Sequence, residues 1–169
     1  MKNRSVWTLI VVMLVCLNGC TTYTKVHAPV LEQLGKTMKT RHNQIRELDT
    51  KFSPSKLVLT YWMNGPIEEA DRLDIFYQTK ETVLSSSFQT QVIEDQFFKK
   101  YVKAERIYPS LSISFRFPDQ RAPDCSYESS YYKTSDVSSE EARSKVDGYQ
   151  TWFFRDYRNE DKLVPPQPK

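Results

Sequence analysis

The strongest constraint on the fold is a run of eight residues, SLSISFRF (110–117), in which polar and apolar side chains alternate without exception. Successive side chains of a β-strand point to opposite faces, so this run predicts a strand with one buried face. Leu111, Ile113, Phe115 and Phe117 are expected to face the core. This segment is the best-defined strand of the chain.

A second pattern lies near the N-terminus, where one apolar stripe follows helical spacing. Its members lie three, four or seven positions apart, interrupted by Arg41: Leu31, Leu34, Met38, Ile45, Leu48 and Phe52. This stripe predicts an amphipathic helix of about five turns between Pro29 and Pro54. One interpretation is that the stripe packs on the protein's own sheet. The other is a coiled-coil seam with a partner, because the spacing is heptad-like.

The rest of the chain alternates between strand-like and helical segments. Residues 56–63 and 72–78 are predicted as strands, separated by a turn at Asn64-Gly65-Pro66 and a polar connection. Residues 83–102 return to helical spacing. The expected elements after residue 117 are a loop (118–123), a tyrosine-rich strand (126–133), a short helix (138–146) and a strand (149–157).

This order of elements indicates the α+β class. We predict a single domain with a mainly antiparallel sheet, an N-terminal amphipathic helix and a second helix packed on the sheet. A β-sandwich with an added N-terminal helix is the alternative. A chain of 169 residues is long enough for one such domain.

The first twenty residues differ in composition from the rest of the chain. Lys2 and Arg4 precede an uncharged apolar run (7–17) that is shorter than the roughly 20 residues needed to cross a bilayer. A charged start, a short apolar middle and small residues at the end are typical of a secretory signal. We therefore expect residues 1–19 to be a signal peptide that is removed on export.

Leu17-Asn18-Gly19-Cys20, at the end of this signal, resembles the lipobox of bacterial lipoproteins. In that family the signal is cut before the cysteine, whose thiol carries a diacylglyceryl group, and the new amino terminus can also be acylated. The resemblance implies cleavage between Gly19 and Cys20 and a lipid anchor on Cys20. Asn18 departs from the usual small or aliphatic residue. In Gram-negative bacteria, an Asp directly after the lipidated cysteine tends to retain a lipoprotein at the inner membrane. Here that residue is Thr21, which favours the outer membrane if the host is Gram-negative.

Three further segments follow from the signal and the patterns. Residues 20–29 are expected to hold the lipidated cysteine and a short tether, which can span at most about 30 Å. The α+β domain is expected over residues 30–158. Residues 159–169, which end in VPPQPK, are expected to form a Pro-rich flexible tail.

Removal of the signal lowers the net charge of the chain. The full sequence has 24 basic and 21 acidic side chains, and the loss of Lys2 and Arg4 leaves 22 and 21, a net charge near +1. This balance provides no electrostatic basis for binding nucleic acid. The expected partners are the membrane, through the lipid on Cys20, and another envelope protein.

The sequence contains no recognisable motif for catalysis, metal binding or a cofactor. His27 and His42 have no ligand-forming residue at a spacing typical of metal sites, and both are expected to be solvated. Cys125 is alone once Cys16 is removed and Cys20 is lipidated, so no internal disulfide can form. It is either a small buried hydrophobe or a thiol for pairing between chains. We predict no catalytic residue, no metal and no cofactor.

Aromatic residues are plentiful in the last third of the chain. Tyr127, Tyr131, Tyr132 and Trp152 are the candidates for an interaction surface, because aromatic side chains are enriched at protein interfaces. The competing interpretation is that these residues build the core.

Three functional hypotheses follow. The leading one is a non-enzymatic envelope lipoprotein that serves as an accessory or assembly subunit and binds another envelope protein. The second is a lipoprotein that binds a small molecule or cell-wall fragment, which requires an apolar pocket with a few convergent polar groups. The third is a small envelope hydrolase that uses Cys125, which requires a histidine such as His42 nearby.

The lipid anchor can be tested directly. We expect the mature protein to begin at Cys20, to carry the mass of a diacylglyceryl group there, and to fractionate with membranes. Cys20→Ser should abolish both the added mass and the cleavage before residue 20. Intact-mass spectrometry of the purified protein checks this, and an unmodified Cys20 would contradict it.

Overall fold

A computed structural model describes residues 23–117, 125–157 and 162–163. Within these ranges the strands form one sheet of seven, in which spatial order follows chain order. The strands are β1 (Thr24–Lys25), β2 (Ile45–Phe52), β3 (Lys56–Met63), β4 (Ser110–Arg116), β5 (Cys125–Ser129), β6 (Phe153–Asp156) and β7 (Lys162–Leu163). Neighbouring strands are antiparallel except β3 and β4, which are parallel.

The helices connect these strands. They are α1 (Pro29–Arg41), α2 (Glu69–Leu84), the helical segment 86–100, here α3, and the short α4 (Glu140–Ser144). Pro29 occupies the first turn of α1, where its missing N–H costs no hydrogen bond. Most of α3 is wound as a π-helix (Gln89–Phe97).

The parallel pair explains the position of the helical layer. Parallel neighbours cannot be joined by a hairpin, so the chain must cross back over the sheet between β3 and β4. The helices α2 and α3 form this crossover. They bury one face of the sheet with apolar side chains that are at most 1% exposed: Ile75, Phe76, Val83, Phe88, Val92, Ile93 and Phe97.

An aromatic cluster forms the centre of the core. Phe76 of α2 stacks on Tyr127 of β5 at a ring-centroid distance of 4.1 Å and contacts the edge of Trp152 at 5.4 Å. The Trp152 indole donates a hydrogen bond to the carbonyl of Tyr149 (2.8 Å). Tyr149 has a left-handed φ of 61°, which costs a non-glycine residue about 1–2 kcal/mol. Its buried hydroxyl donates to the Pro109 carbonyl (2.7 Å), and both bonds hold this turn in place.

The opposite face of the sheet carries no helix of the described chain; we call it the open face. Strand registers place Thr60 beside Asp49 and Ser114, and Ser126 beside Ser114 and Arg155. Most side chains of this face are polar, with Val58, Trp62 and Phe153 among them. The face under the helices carries Leu57, Leu59, Leu111 and Ile113, all fully buried.

The predicted α+β class with a mainly antiparallel sheet is confirmed. The strand predicted at 56–63 is present with those bounds, and the strand predicted at 110–117 spans Ser110–Arg116. The β-sandwich alternative is wrong, because the described strands form one sheet.

The long first helix was predicted too far along the chain. It ends at Arg41, and residues 45–52 form β2 instead. A β-bulge between Ile45 and Glu47 adds one residue to the strand, so Ile45 and Leu48 share a face although they are three positions apart. Leu48 and Phe52 share that face because four positions are two strand repeats. The bulged strand thereby imitates helical spacing.

The strand predicted at 72–78 is also wrong, because these residues lie within α2. Arg72–Ile75 alternates polar and apolar side chains over only four residues, whereas Ile75, Thr79 and Val83 are buried at helical intervals. The helix predicted over 83–102 is present as α3, after a break at Ser85. There, the Ser85 hydroxyl caps the new helix by accepting a hydrogen bond from the N–H of Phe88 (3.2 Å).

The predicted limits of the domain need correction at both ends. The tether predicted over 20–29 is shorter, because Thr24–Lys25 already pairs with β2, and Val26 and Ala28 are buried. In the tail predicted as flexible, Lys162–Leu163 pairs with Phe153 and Phe154. The strand predicted at 126–133 is confined to Cys125–Ser129.

The aromatic cluster makes a testable contribution to stability. Phe76→Ala should lower the free energy of unfolding by about 3–5 kcal/mol, because it removes a fully buried ring and leaves a cavity beside Tyr127. Val102→Ala, at a side chain that is 64% exposed, should change it by less than about 0.5 kcal/mol. Urea titration followed by circular dichroism measures both, and equal effects would contradict this assignment of the core.

Candidate functional site

The structure separates the four aromatic residues that were predicted to form an interaction surface. Tyr127 and Trp152 are each only 1% exposed and belong to the core, so the surface prediction is wrong for them. Both pack against Phe76, and Tyr127 also accepts a hydrogen bond from Arg72 (3.3 Å). Tyr132 is also largely buried, at 9% exposure, whereas Tyr131 is half-buried. Both follow β5 and line a groove at the end of the sheet.

We call this depression the tyrosine groove; its volume is about 400 Å³. Tyr131 stacks face to face on Tyr108 at 3.7 Å between ring centroids, and its edge meets Tyr132 at 5.1 Å. The Tyr132 hydroxyl accepts a hydrogen bond from the N–H of Tyr108 (3.3 Å). The groove is lined by Pro54, Ser55, Ile107, Tyr108, Ser110, Ser130, Tyr131, Tyr132, Thr134, Ser135 and Val137.

The composition of this lining is distinctive. It combines aromatic and aliphatic side chains with hydroxyl groups, and the described lining residues include no charged side chain. Burial, followed by the nearby Tyr131, raises the pKa of Tyr108 to about 12, so its phenol remains neutral at physiological pH. Ile107 is 38% exposed at the rim. The groove therefore offers an apolar surface with neutral hydrogen-bonding groups.

A second concave surface lies on the open face; we call it the serine cleft. Its volume is about 380 Å³, and its lining is formed by Tyr23, Asp49, Lys51, Lys56, Val58, Thr60, Trp62, Ser112, Ser114, Arg116 and Tyr157. Ser112 and Ser114 are small enough to leave a depression between larger neighbours, and their hydroxyls lie 3.2 Å apart. Tyr23 and Tyr157, both more than half exposed, contribute to its lining.

The charges of the serine cleft are unevenly paired. Lys51 binds the Asp49 carboxylate at 2.7 Å, and Lys56 binds Glu128 at 3.0 Å. Arg116 lies over the Trp62 ring at 5.2 Å and makes no ion pair with a described residue. As far as the described residues go, the donors of the Arg116 guanidinium are therefore not used by a carboxylate.

His42 was expected to be solvated, and this expectation is wrong. The imidazole is 6% exposed and lies between two carboxylates of α2, with Nε2 2.8 Å from Asp74 Oδ2 and Nδ1 3.6 Å from Asp71 Oδ1. Arg41 and Gln78 also contact Asp74. This cluster joins the end of α1 to the start of α2. Sequence spacing gave no signal for it, because the two helices are separated by β2 and β3.

The residues considered for catalysis are not brought together. Cys125 is buried in β5 with 6% exposure. His42 lies just before β2, which begins at Ile45. Three strand spacings, roughly 14 Å in total, separate β2 from β5, the strand that contains Cys125. Both ring nitrogens of His42 face carboxylates. Among the described residues, no group of three or more His, Cys, Asp or Glu side chains could hold a metal ion.

Two further predictions concern the N-terminal region. Gly19 and Cys20, the proposed cleavage and lipidation residues, lie outside the described residues. In the part of the chain that is described, no helix has the length and hydrophobicity needed to cross a bilayer.

Comparison with known proteins provides no relative from which a function could be transferred. No protein-family profile, curated protein or solved structure matches this chain. The features that bear on function are therefore the groove, the cleft and the sequence of the N-terminal region.

The His42 cluster predicts a pH dependence of stability. Burial by itself would raise the pKa of Asp74, but hydrogen bonds from Gln78 and His42 and the charge of Arg41 outweigh it and hold this pKa below its usual value. Asp74 therefore stabilises the fold above its unfolded-state pKa of about 3.9, and this contribution disappears as pH falls through the lower folded-state pKa.

We expect Asp74→Asn to lower the urea midpoint at pH 7 and to reduce the loss of stability between pH 5 and pH 2. Asp95→Asn, at an exposed position of α3, is the matched control and should leave the pH profile unchanged. A profile for Asp74→Asn that parallels the wild-type profile would refute the role of this carboxylate.

Proposed function

We propose that this protein is a non-enzymatic envelope lipoprotein, anchored through lipidated Cys20, that binds another envelope protein through the tyrosine groove. The observation that carries this proposal is the lining of the groove, which is aromatic, partly exposed and free of charged side chains among its described residues. Interface cores are enriched in tyrosine and depleted of Lys, Glu and Asp in the same way.

The packing of the tyrosines also supports binding of a protein. Tyr131 stacks on Tyr108 and makes T-shaped contacts with Tyr132 and Tyr149. Its ring is therefore already ordered before a partner arrives. Side chains that are fixed in advance lose little conformational entropy on binding, and this loss otherwise costs about 0.5–1.5 kcal/mol for each mobile side chain.

The lipid anchor would complement this groove. Two or three acyl chains on Cys20 provide stable attachment, whereas a single chain binds only reversibly. Confinement to one membrane raises the effective concentration of a partner in the same membrane. Thr21 after the cysteine favours the outer membrane if the host is Gram-negative.

The arrangement of the nucleophile and base candidates supports a non-enzymatic role over the hydrolase alternative. A thiol nucleophile needs a base within hydrogen-bond reach, about 2.6–3.2 Å. The described contacts of His42 are instead made to Asp71 and Asp74. Cys125 lies in the sheet, where the buried-hydrophobe interpretation applies.

The groove volume favours a second candidate function, the binding of a small molecule or cell-wall fragment. About 400 Å³ falls within the range of roughly 300–1,000 Å³ that is typical of ligand sites. A protein partner and a small ligand differ in one respect that can be measured. Only the protein partner can be captured covalently as a single larger species from intact cells.

The groove can be tested by introducing one charge. Ile107→Asp should reduce cross-linked capture of the partner from intact cells at least tenfold, because a carboxylate would be buried against the partner without a counter-ion. Val102→Asp is the matched control, since Val102 is 64% exposed and lies outside the groove lining. Its capture should match that of the wild-type protein.

Quantitative mass spectrometry of the cross-linked material measures the result. Capture of one stoichiometric envelope protein that is lost in Ile107→Asp and retained in Val102→Asp supports the proposal. Equal capture by both variants would exclude the groove as the interface. If no protein is captured, a thermal-shift screen of cell-wall fragments against the wild type and Ile107→Asp tests the second candidate.

A further inference from the structure

The open face concentrates positive charge. Strand register and ring contacts place six cationic side chains and three carboxylates there among the described residues: Lys25, Arg46, Lys51, Lys56, Arg116 and Arg155, with Glu47, Asp49 and Glu128. Their balance is +3, whereas the mature chain has a net charge near +1. Among the described residues, the open face is therefore a cationic side of the protein.

Arg116 gives this side a specific anion-binding group. Its guanidinium is held over the Trp62 ring at 5.2 Å, and Arg46 lies over the same ring at 5.2 Å. The other contacts of the described chain leave the Arg116 donors without a carboxylate. A guanidinium can donate two parallel hydrogen bonds to the oxygens of a phosphate. The hydroxyls of Ser112 and Ser114, which are buried and hydrogen-bonded to each other at 3.2 Å, form the polar floor of the same cleft.

The proposed anchor lies close to this cleft in the chain. Three residue steps separate Cys20 from Tyr23, which lines the serine cleft, and they span at most about 11 Å when extended. A lipid on Cys20 would hold the cleft near the headgroup layer. The cleft also carries Tyr23, Trp62 and Tyr157, and Trp and Tyr are the residues enriched at membrane–water interfaces.

We propose that the open face docks on the anionic membrane surface, with the phosphate of a phospholipid headgroup bound in the serine cleft by Arg116. This inference rests on the proposed lipidation of Cys20. The lipid anchor sets the distance from the membrane, and the cationic face sets the orientation of the domain. Trp62 then lies at the level of the headgroups, while Trp152 stays in the core.

The two tryptophans of the mature chain provide the test. The intact lipoprotein is reconstituted into vesicles that contain a headgroup-labelled nitroxide quencher, in either phosphatidylglycerol with phosphatidylcholine or phosphatidylcholine alone. In the Trp62→Phe variant, the remaining fluorescence comes from Trp152, which is 1% exposed. Comparison with the wild-type protein then gives the quenching of Trp62. We expect Trp62 to be strongly quenched in the anionic vesicles, weakly quenched in the neutral vesicles, and released from quenching at high salt.

Charge variants identify the face responsible. Each cation near an anionic surface contributes about 1 kcal/mol, roughly fivefold in the docking equilibrium. Lys25→Gln with Arg116→Gln should therefore reduce the ratio of docked to undocked protein by roughly 25-fold. Lys36→Gln with Lys39→Gln removes the same charge from exposed positions of α1 and should leave Trp62 quenching unchanged.

The alternative outcomes each refute a defined part of the inference. Equal quenching in neutral and anionic vesicles, or equal loss in both double variants, would overturn the docked orientation. Reversal of quenching by millimolar inorganic phosphate at constant ionic strength would assign the cleft to a soluble phosphate instead. A chain that fails to remain with the vesicles would indicate failure of the proposed anchor, whereas a retained chain with unquenched Trp62 would indicate failure of docking alone.

Discussion

The parallel pairing of β3 with β4 is the constraint on which the rest of the structure depends. All other neighbouring strands in the described sheet are antiparallel. Parallel strands require a long connection, and the chain satisfies this requirement with α2 and α3 on one side of the sheet. The helices cover that face and leave the other mainly to polar side chains. The tyrosine groove and the serine cleft are both consequences of this one-sided layer.

The crossover also determines which aromatic residues are structural. Phe76, at the middle of α2, stacks on Tyr127 and meets Trp152, so three distant parts of the chain converge at one point. The left-handed backbone at Tyr149 is stabilised by hydrogen bonds to Pro109 and Trp152. Tyr131, which is half-buried, and Tyr132, which is 9% exposed, lie just beyond the end of β5 and line a groove. Position relative to the crossover thus separates core tyrosines from those that can meet a partner.

The sequence predicted most reliably the strands with one buried and one polar face. Residues 110–116 alternate over the whole strand, and residues 56–63 are rich in β-branched and aromatic side chains, so both were identified with nearly correct bounds. Prediction failed where one spacing fits two structures. The bulge at Ile45 made β2 look helical, and the first residues of α2 alternate like a strand. Local periodicity cannot resolve such cases, because the pairing partner lies elsewhere in the chain.

The sequence by itself determined the α+β class, the half-buried strands and the lipobox from which the membrane anchor is proposed. These features depend on side chains that are neighbours in the chain. Only the tertiary structure decided that Tyr127 and Trp152 are core residues, that His42 lies between Asp71 and Asp74, and that six cations share the open face. Burial and charge clustering arise from strand order and from the side on which the crossover lies. Both are set by contacts between residues far apart in sequence.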